Sequence, residues 1–182
     1  MLPMPTALVI QADGFEELEA LAPVDLLRRA QIEVTVVTLS ENRHATGRSG
    51  ITVHGDAALS TVQGRLFDLL FLPGGAGVEN LRADPRVGEL VRQHHAADRW
   101  LAAICAAPTV LSDCGLLAGK RYTAHFSVAE ELPEILSTER VVTDGKIITS
   151  RGAGTAVEFG LHLVTLLTSS VKSAEVSKAI CL

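Results

Sequence analysis

The 182-residue chain predicts an α/β fold: a mostly parallel central sheet covered by helices, with a hairpin at its periphery. Three observations predict it. First, Leu66 to Leu72 and Trp100 to Ile104 are short, nearly continuous apolar runs, the pattern of strands buried on both faces. Second, apolar strand candidates alternate with glycine-bearing turns and amphipathic helical segments, which is the rhythm of βαβ units. Third, Val141-Val-Thr-Asp144-Gly145-Lys-Ile-Ile-Thr149 sets two β-branched runs around Asp-Gly, a hairpin signal.

In order, Thr6 to Gln11 is an apolar strand, and Ala12-Asp13-Gly14-Phe15 turns it into a helix from near Glu16 to about Ala30, with Pro23 inside. Glu33 to Leu39 is β-branched and forms the next strand. Residues 41–50 are polar, Ile51 to His54 alternates as a peripheral strand, and Asp56 to Gly64 is a connection. The strand Leu66 to Leu72 ends in Pro73-Gly74-Gly75-Ala76-Gly77, which no regular element absorbs. Asp84 caps an amphipathic helix reaching Ala97, with Pro85 at its first position; His94 and His95 are read on its polar side as solvated residues. After the strand Trp100 to Ile104, a helix runs from Pro108 to a glycine cap at Gly115, with Cys114 in the core. Arg121 to His125 reads as a brief strand, Thr155 to Leu167 as an apolar helix, and Ser169 onward as a short final helix.

Length and composition suit one domain spanning residues 1–182. A net charge of −5 with scattered basic residues argues against a nucleic-acid surface or an anionic membrane partner. No apolar run approaches the roughly 20 residues that span a bilayer. The cysteines at 105, 114 and 181 form neither a disulfide framework nor a metal-ligand spacing. A reducing, cytoplasmic setting is expected, with no metal and no cofactor.

The chemistry concentrates at Leu101-Ala-Ala-Ile-Cys105-Ala-Ala-Pro108, a strand, a sharp turn and a helix start. This is the layout of a nucleophile elbow with cysteine in place of serine. Unpaired backbone N–H groups and the positive helix end favour a thiolate there, so Cys105 is expected to have a lowered pKa. Glu16 and Glu17 are ordinary first-turn carboxylates. Glu19 shares an apolar stripe with Phe15, Ala22 and Leu26, where burial would raise its pKa and keep it protonated. Gly74 and Gly75 end the preceding strand, and their backbone N–H groups can approach a ligand or an oxyanion closely. His125 is a further polar group at a strand end.

These residues, together with Gly14-Phe-Glu-Glu-Leu-Glu19, Pro23-Val-Asp-Leu-Leu-Arg-Arg-Ala30, Leu72-Pro-Gly-Gly75, Thr123-Ala-His125 and Thr149-Ser-Arg-Gly-Ala-Gly-Thr155, give the chain a resemblance to the DJ-1/ThiJ/PfpI superfamily. The resemblance is closest to the DJ-1 and YajL branch. It implies a flavodoxin-like three-layer sandwich, a homodimer, an easily oxidised Cys105, a protonated Glu19 at the sulfur, N–H donors from Gly75 and Ala106, and His125 nearby. It also places Arg29, Gly152 and Ala153 around the pocket. Ala107 and Ala153 stand where the DJ-1 pattern has glycine and proline, and Ser49 replaces an arginine that pairs with the one matched by Arg29 in an anion-binding spot. The loop after Gly75 is one residue shorter. The resemblance implies a small-molecule partner, an α-oxoaldehyde or a glycated adduct, handled as a glutathione-independent glyoxalase or a deglycase. A redox sensor or stress chaperone in which Cys105 becomes a sulfinate is the alternative. Peptidase action like that of the PfpI branch is disfavoured, because Ala106 follows the cysteine where that branch has histidine.

Overall fold

The computed structural model describes residues 4–182. Nine strands form: β1 (Thr6–Gln11), β2 (Glu33–Thr38), β3 (His44–Thr46), β4 (Thr52–His54), β5 (Ala57–Ala58), β6 (Leu69–Leu72), β7 (Trp100–Ile104), β8 (Val141–Asp144) and β9 (Ile147–Ser150). Seven make one sheet in the order β5-β2-β1-β6-β7-β9-β8, parallel except for the edge strand β8, while β3 and β4 form a separate two-stranded ribbon. Alternate residues of the central strands feed two cores. Leu8, Ile10, Leu70, Leu72, Leu101 and Ala103 face helices α2 (Val78–Ala83), α3 (Pro85–Ala96) and α4 (Pro108–Asp113). Ala7, Val9, Leu69, Phe71, Ala102 and Ile104 face α1 (Glu17–Arg29), α5 (Ala156–Leu167) and α6 (Ser170–Ala179). The result is the expected three-layer α/β sandwich. Among the described residues no helix is long and apolar enough to cross a membrane.

The Asp-Gly hairpin forms at the sheet edge, and its inner strand β9 pairs in parallel with β7. Its turn is Gly145-Lys146, with Gly145 at φ +60°, because Asp144 is drawn into the ladder opposite Ile147. Glu16 caps α1, its carboxylate accepting from the Glu19 N–H at 2.8 Å, and Asp84 caps α3 as expected, accepting from the Arg86 N–H at 3.0 Å.

Three expectations change. The run from Leu66 enters the ladder only at Leu69, and Leu66 stays exposed. Arg121 to His125 is extended but joins no ladder; a side chain and an elbow carbonyl hold it, with the Thr123 N–H donating to Thr149 Oγ1 at 2.9 Å and the His125 N–H to the Cys105 carbonyl at 2.9 Å. Residues 78–83, to which the sequence assigns no element, form helix α2. His94 is fully buried rather than solvated: its Nδ1 lies 2.8 Å from the Leu90 carbonyl, and Nε2 accepts from the Phe67 N–H at 3.1 Å. Both ring nitrogens are satisfied inside the protein, which offsets the cost of removing the ring from water.

Candidate active site

The chain changes winding direction at β1, which sits between β2 and β6 and so opens a crevice beyond the carboxyl ends of β1 and β6. The turns after these strands are stitched together there. Phe15 and Gly75 form a β-bridge, the Glu16 N–H donates to the Gly74 carbonyl at 3.0 Å, and the Gly77 N–H donates to the Gly14 carbonyl at 2.9 Å. Cys105 follows β7, the next strand over.

Cys105 occupies the left-handed region at φ +66°, a conformation costing about 1–3 kcal/mol in a non-glycine residue. The neighbouring backbone imposes it. The Cys105 N–H donates to the Ser150 carbonyl at 2.9 Å, and its own carbonyl accepts from the His125 N–H. This is the expected elbow, and the strain aims the thiol into the crevice.

Glu19, on the first turns of α1, is 1 % exposed, and its Oε2 has no hydrogen-bond partner. The backbone N–H groups of Gly74 and Ala153 point toward this carboxyl, while those of Gly75 and Ala106 point toward the Cys105 sulfur. The two glycines thus divide their work: Gly74 serves the carboxyl and Gly75 the sulfur. Gly74 admits no side chain, since a Cβ there would overlap Glu19 Oε2 and lie 2.5 Å from Cys105 Cβ. Gly152 also adjoins the pair; a Cβ on it would sit 3.5 Å from Glu19 Oε1 and 4.0 Å from Cys105 Sγ.

Burial pushes the Glu19 carboxyl up from 4.5 to about 7, only partly opposed by its hydrogen bond with Cys105. The upward direction is the one its place on the apolar stripe suggests. The sulfur departs from expectation. Burial, then the charge of Glu19 and its hydrogen bond, push the Cys105 thiol up to about 12, and the Gly75 and Ala106 N–H groups pull only weakly the other way. Helix α4 beyond the elbow has just six residues, so its field is short. Desolvation therefore outweighs the donors, and Cys105 is not an independently ionised thiolate. The two groups titrate as a pair, and ionising the sulfur means passing its proton to Glu19.

His125 lies beside the pair. Its Nδ1 accepts from the Ser127 N–H at 3.2 Å and lies 2.8 Å from Ser127 Oγ, which leaves Nε2 to carry the proton of the neutral ring. The cavity over Cys105, about 540 Å³, is lined by Glu19, Gly75, Cys105, Ala106, His125 and Ala153 of the expected residues. Arg29 is not among them. It lies exposed at the far end of α1, paired with Asp25 at 2.6 Å, because ten residues of helix, about 15 Å, carry it away from Glu19 and the crevice. Two other arginines line the cavity instead. Arg48 arrives on the β3–β4 turn, which is pinned to α1 by the Ser49 N–H donating to Glu17 Oε1 at 2.8 Å and the Arg48 N–H donating to the Phe15 carbonyl at 2.9 Å. Arg82 closes the far wall by bridging Asp113 at 2.7 Å and Glu131 at 2.8 Å. Sequence reasoning missed both. Only the glycine at position 47 hinted at the first, because a Cβ there would overlap the Glu17 carboxylate that ties the turn down.

Comparison with known proteins places these features in a family context. The model of the DJ-1/PfpI family matches residues 5–166. Protein dj-1beta of Drosophila melanogaster is 40% identical over 179 residues, covering 96% of each chain. Its crystal structure superposes with a TM-score of 0.95 over 99% of both chains, at 38% identity. The glutathione-independent glyoxalase DJR-1.2 of Caenorhabditis elegans is 32% identical, over 96% of this chain and 95% of that protein. The oxidized DJ-1 of Toxoplasma gondii superposes with a TM-score of 0.92 at 30% identity, over 97% and 98% of the two chains.

Proposed function

Because the chain belongs to the DJ-1/PfpI family, we propose that it detoxifies α-oxoaldehydes by covalent catalysis at Cys105, converting methylglyoxal and water to lactate without glutathione. The observation that carries this reading is the pair itself at the floor of the cavity: a strained cysteine beside a carboxyl whose pKa is raised to about 7, with two backbone N–H groups facing the sulfur. Glu19 as carboxylate takes the thiol proton while the sulfur attacks the aldehyde carbon, forming the C–S bond of a hemithioacetal. The oxygen charge that develops is met by the N–H groups of Gly75 and Ala106 and is then protonated from Glu19. Glu19, with His125 as auxiliary acid and base, moves the proton from the former aldehyde carbon to the neighbouring carbonyl carbon through an enediol. The resulting lactoyl thioester is cleaved by water, which releases lactate and restores the thiol. The same steps on an early glycated adduct would free an amine or thiol.

A relative that is itself a glutathione-independent glyoxalase supports this reading. Lactate formed from methylglyoxal by wild type, Cys105→Ser and Glu19→Gln tests it. Loss in both variants is the expected result; undiminished turnover in Glu19→Gln overturns the proton-transfer scheme. One observation favours a second reading, a redox sensor. A close structural neighbour is an oxidized DJ-1, and the donors facing the sulfur would equally hold sulfinate oxygens after two-step oxidation by peroxide. Readily formed Cys105 sulfinate in a protein with no lactate production would select it. The proposal includes a homodimer, supported by Leu18 and Ile51, which stand 60% and 53% exposed on α1 and on the turn pinned to it. Sedimentation tests that part.

A further inference from the structure

The β3–β4 ribbon carries two histidines that the chemistry at Cys105 does not use. His44 and His54 are directly opposed in its antiparallel register, so their side chains leave the ribbon on one face. Both are exposed, their ring centroids lie 4.8 Å apart, and the two Nδ1 atoms are 3.4 Å apart. Neither ring makes any other hydrogen bond among the described residues. That separation is long for a nitrogen–nitrogen hydrogen bond. It matches a tetrahedral metal, however: two imidazoles bound at about 2.0–2.1 Å place their nitrogens about 3.3–3.4 Å apart.

We propose that His44 and His54 form a two-imidazole site for a divalent transition metal, with zinc as the reference ion. Each ring offers a free nitrogen, and the opposed register sets the bite without any change of backbone. Among the described residues no group of three or more histidine, cysteine, aspartate or glutamate side chains is arranged to hold a metal. The remaining coordination positions therefore belong to water or to an outside donor, and the ion is exchangeable. The site bridges the open end of the ribbon, opposite the turn that carries Arg48 into the cavity over Cys105. A two-stranded ribbon is marginal by itself, and a metal across its stem stiffens it.

Isothermal titration with zinc chloride tests the proposal on wild type, His44→Gln, His54→Gln and Cys105→Ser. The expected result is saturable binding that Cys105→Ser leaves unchanged and that each histidine variant weakens at least tenfold. Both histidines are exposed, so neither variant threatens the fold. Unchanged isotherms in the two histidine variants, or binding lost in Cys105→Ser, would overturn it.

Discussion

Glu19→Gln should make the protein more stable at neutral pH while disabling it. The carboxyl's pKa rises from 4.5 to about 7 on folding, chiefly through burial. Between those values the unfolded chain has already lost the proton that the folded chain keeps. Folding therefore binds a proton in this window, and stability is lost as pH rises through it. At about 1.4 kcal/mol per pH unit, the cost of Glu19 reaches roughly 3 kcal/mol above pH 7. Glutamine has nearly the same shape and does not titrate. In urea titrations, the variant's advantage over wild type should be small near pH 4.5, grow with pH, and level off near 3 kcal/mol by pH 8. For a chain of this length that corresponds to a rise in Tm of roughly 6–12 °C. Lactate formation should fall by about 10²–10⁴, the usual contribution of a positioned acid–base group. An advantage independent of pH, or a variant less stable than wild type at pH 8, would refute the claim that burial of this carboxyl opposes folding.

Three further outcomes are expected. Gln11 is 1 % exposed with neither side-chain polar atom hydrogen-bonded, so Gln11→Leu should stabilise the fold by about 1–3 kcal/mol in chemical denaturation. Gly74→Ala forces a methyl group between Glu19 and Cys105; it should cost about 1–3 kcal/mol of stability and at least tenfold in turnover, measured in the same preparation. Burial lowers the pKa of His94 below 6.5, so its stabilising effect is present above that pH and declines as pH falls below it. The stability lead of wild type over His94→Gln should accordingly shrink between pH 7.5 and pH 5.5.

The parts of the site that local pattern dictates were legible in the sequence. The cysteine between an apolar strand and Pro108, the diglycine after Leu72 and the carboxyl on the apolar stripe of α1 all sit where their spacing indicates. What escaped depends on contacts distant along the chain. Arg48 reaches the cavity only because a carboxylate 32 positions from Ser49 anchors its turn, and no local signal records that tether. His94 falls on the polar stripe of α3 by spacing, yet the Phe67 N–H and the Leu90 carbonyl make its burial tolerable. The run Arg121 to His125 has strand-like composition but no free sheet edge beside it, because β9 takes the place next to β7. The state of the Cys105 proton was misjudged for a related reason. The elbow motif announces the N–H donors, whereas the larger desolvation is a property of the finished fold.

Glu19 comes from the first helix and Cys105 from the end of β7, and they meet only when β1, β6 and β7 lie side by side in register. On a ribosome-bound or unfolded chain the thiol is one ordinary cysteine among three, with no carboxyl within reach. The shared proton is thus a certificate of completed folding. A half-made molecule lacks that arrangement, because the carboxyl and the thiol sit on elements that have not yet met.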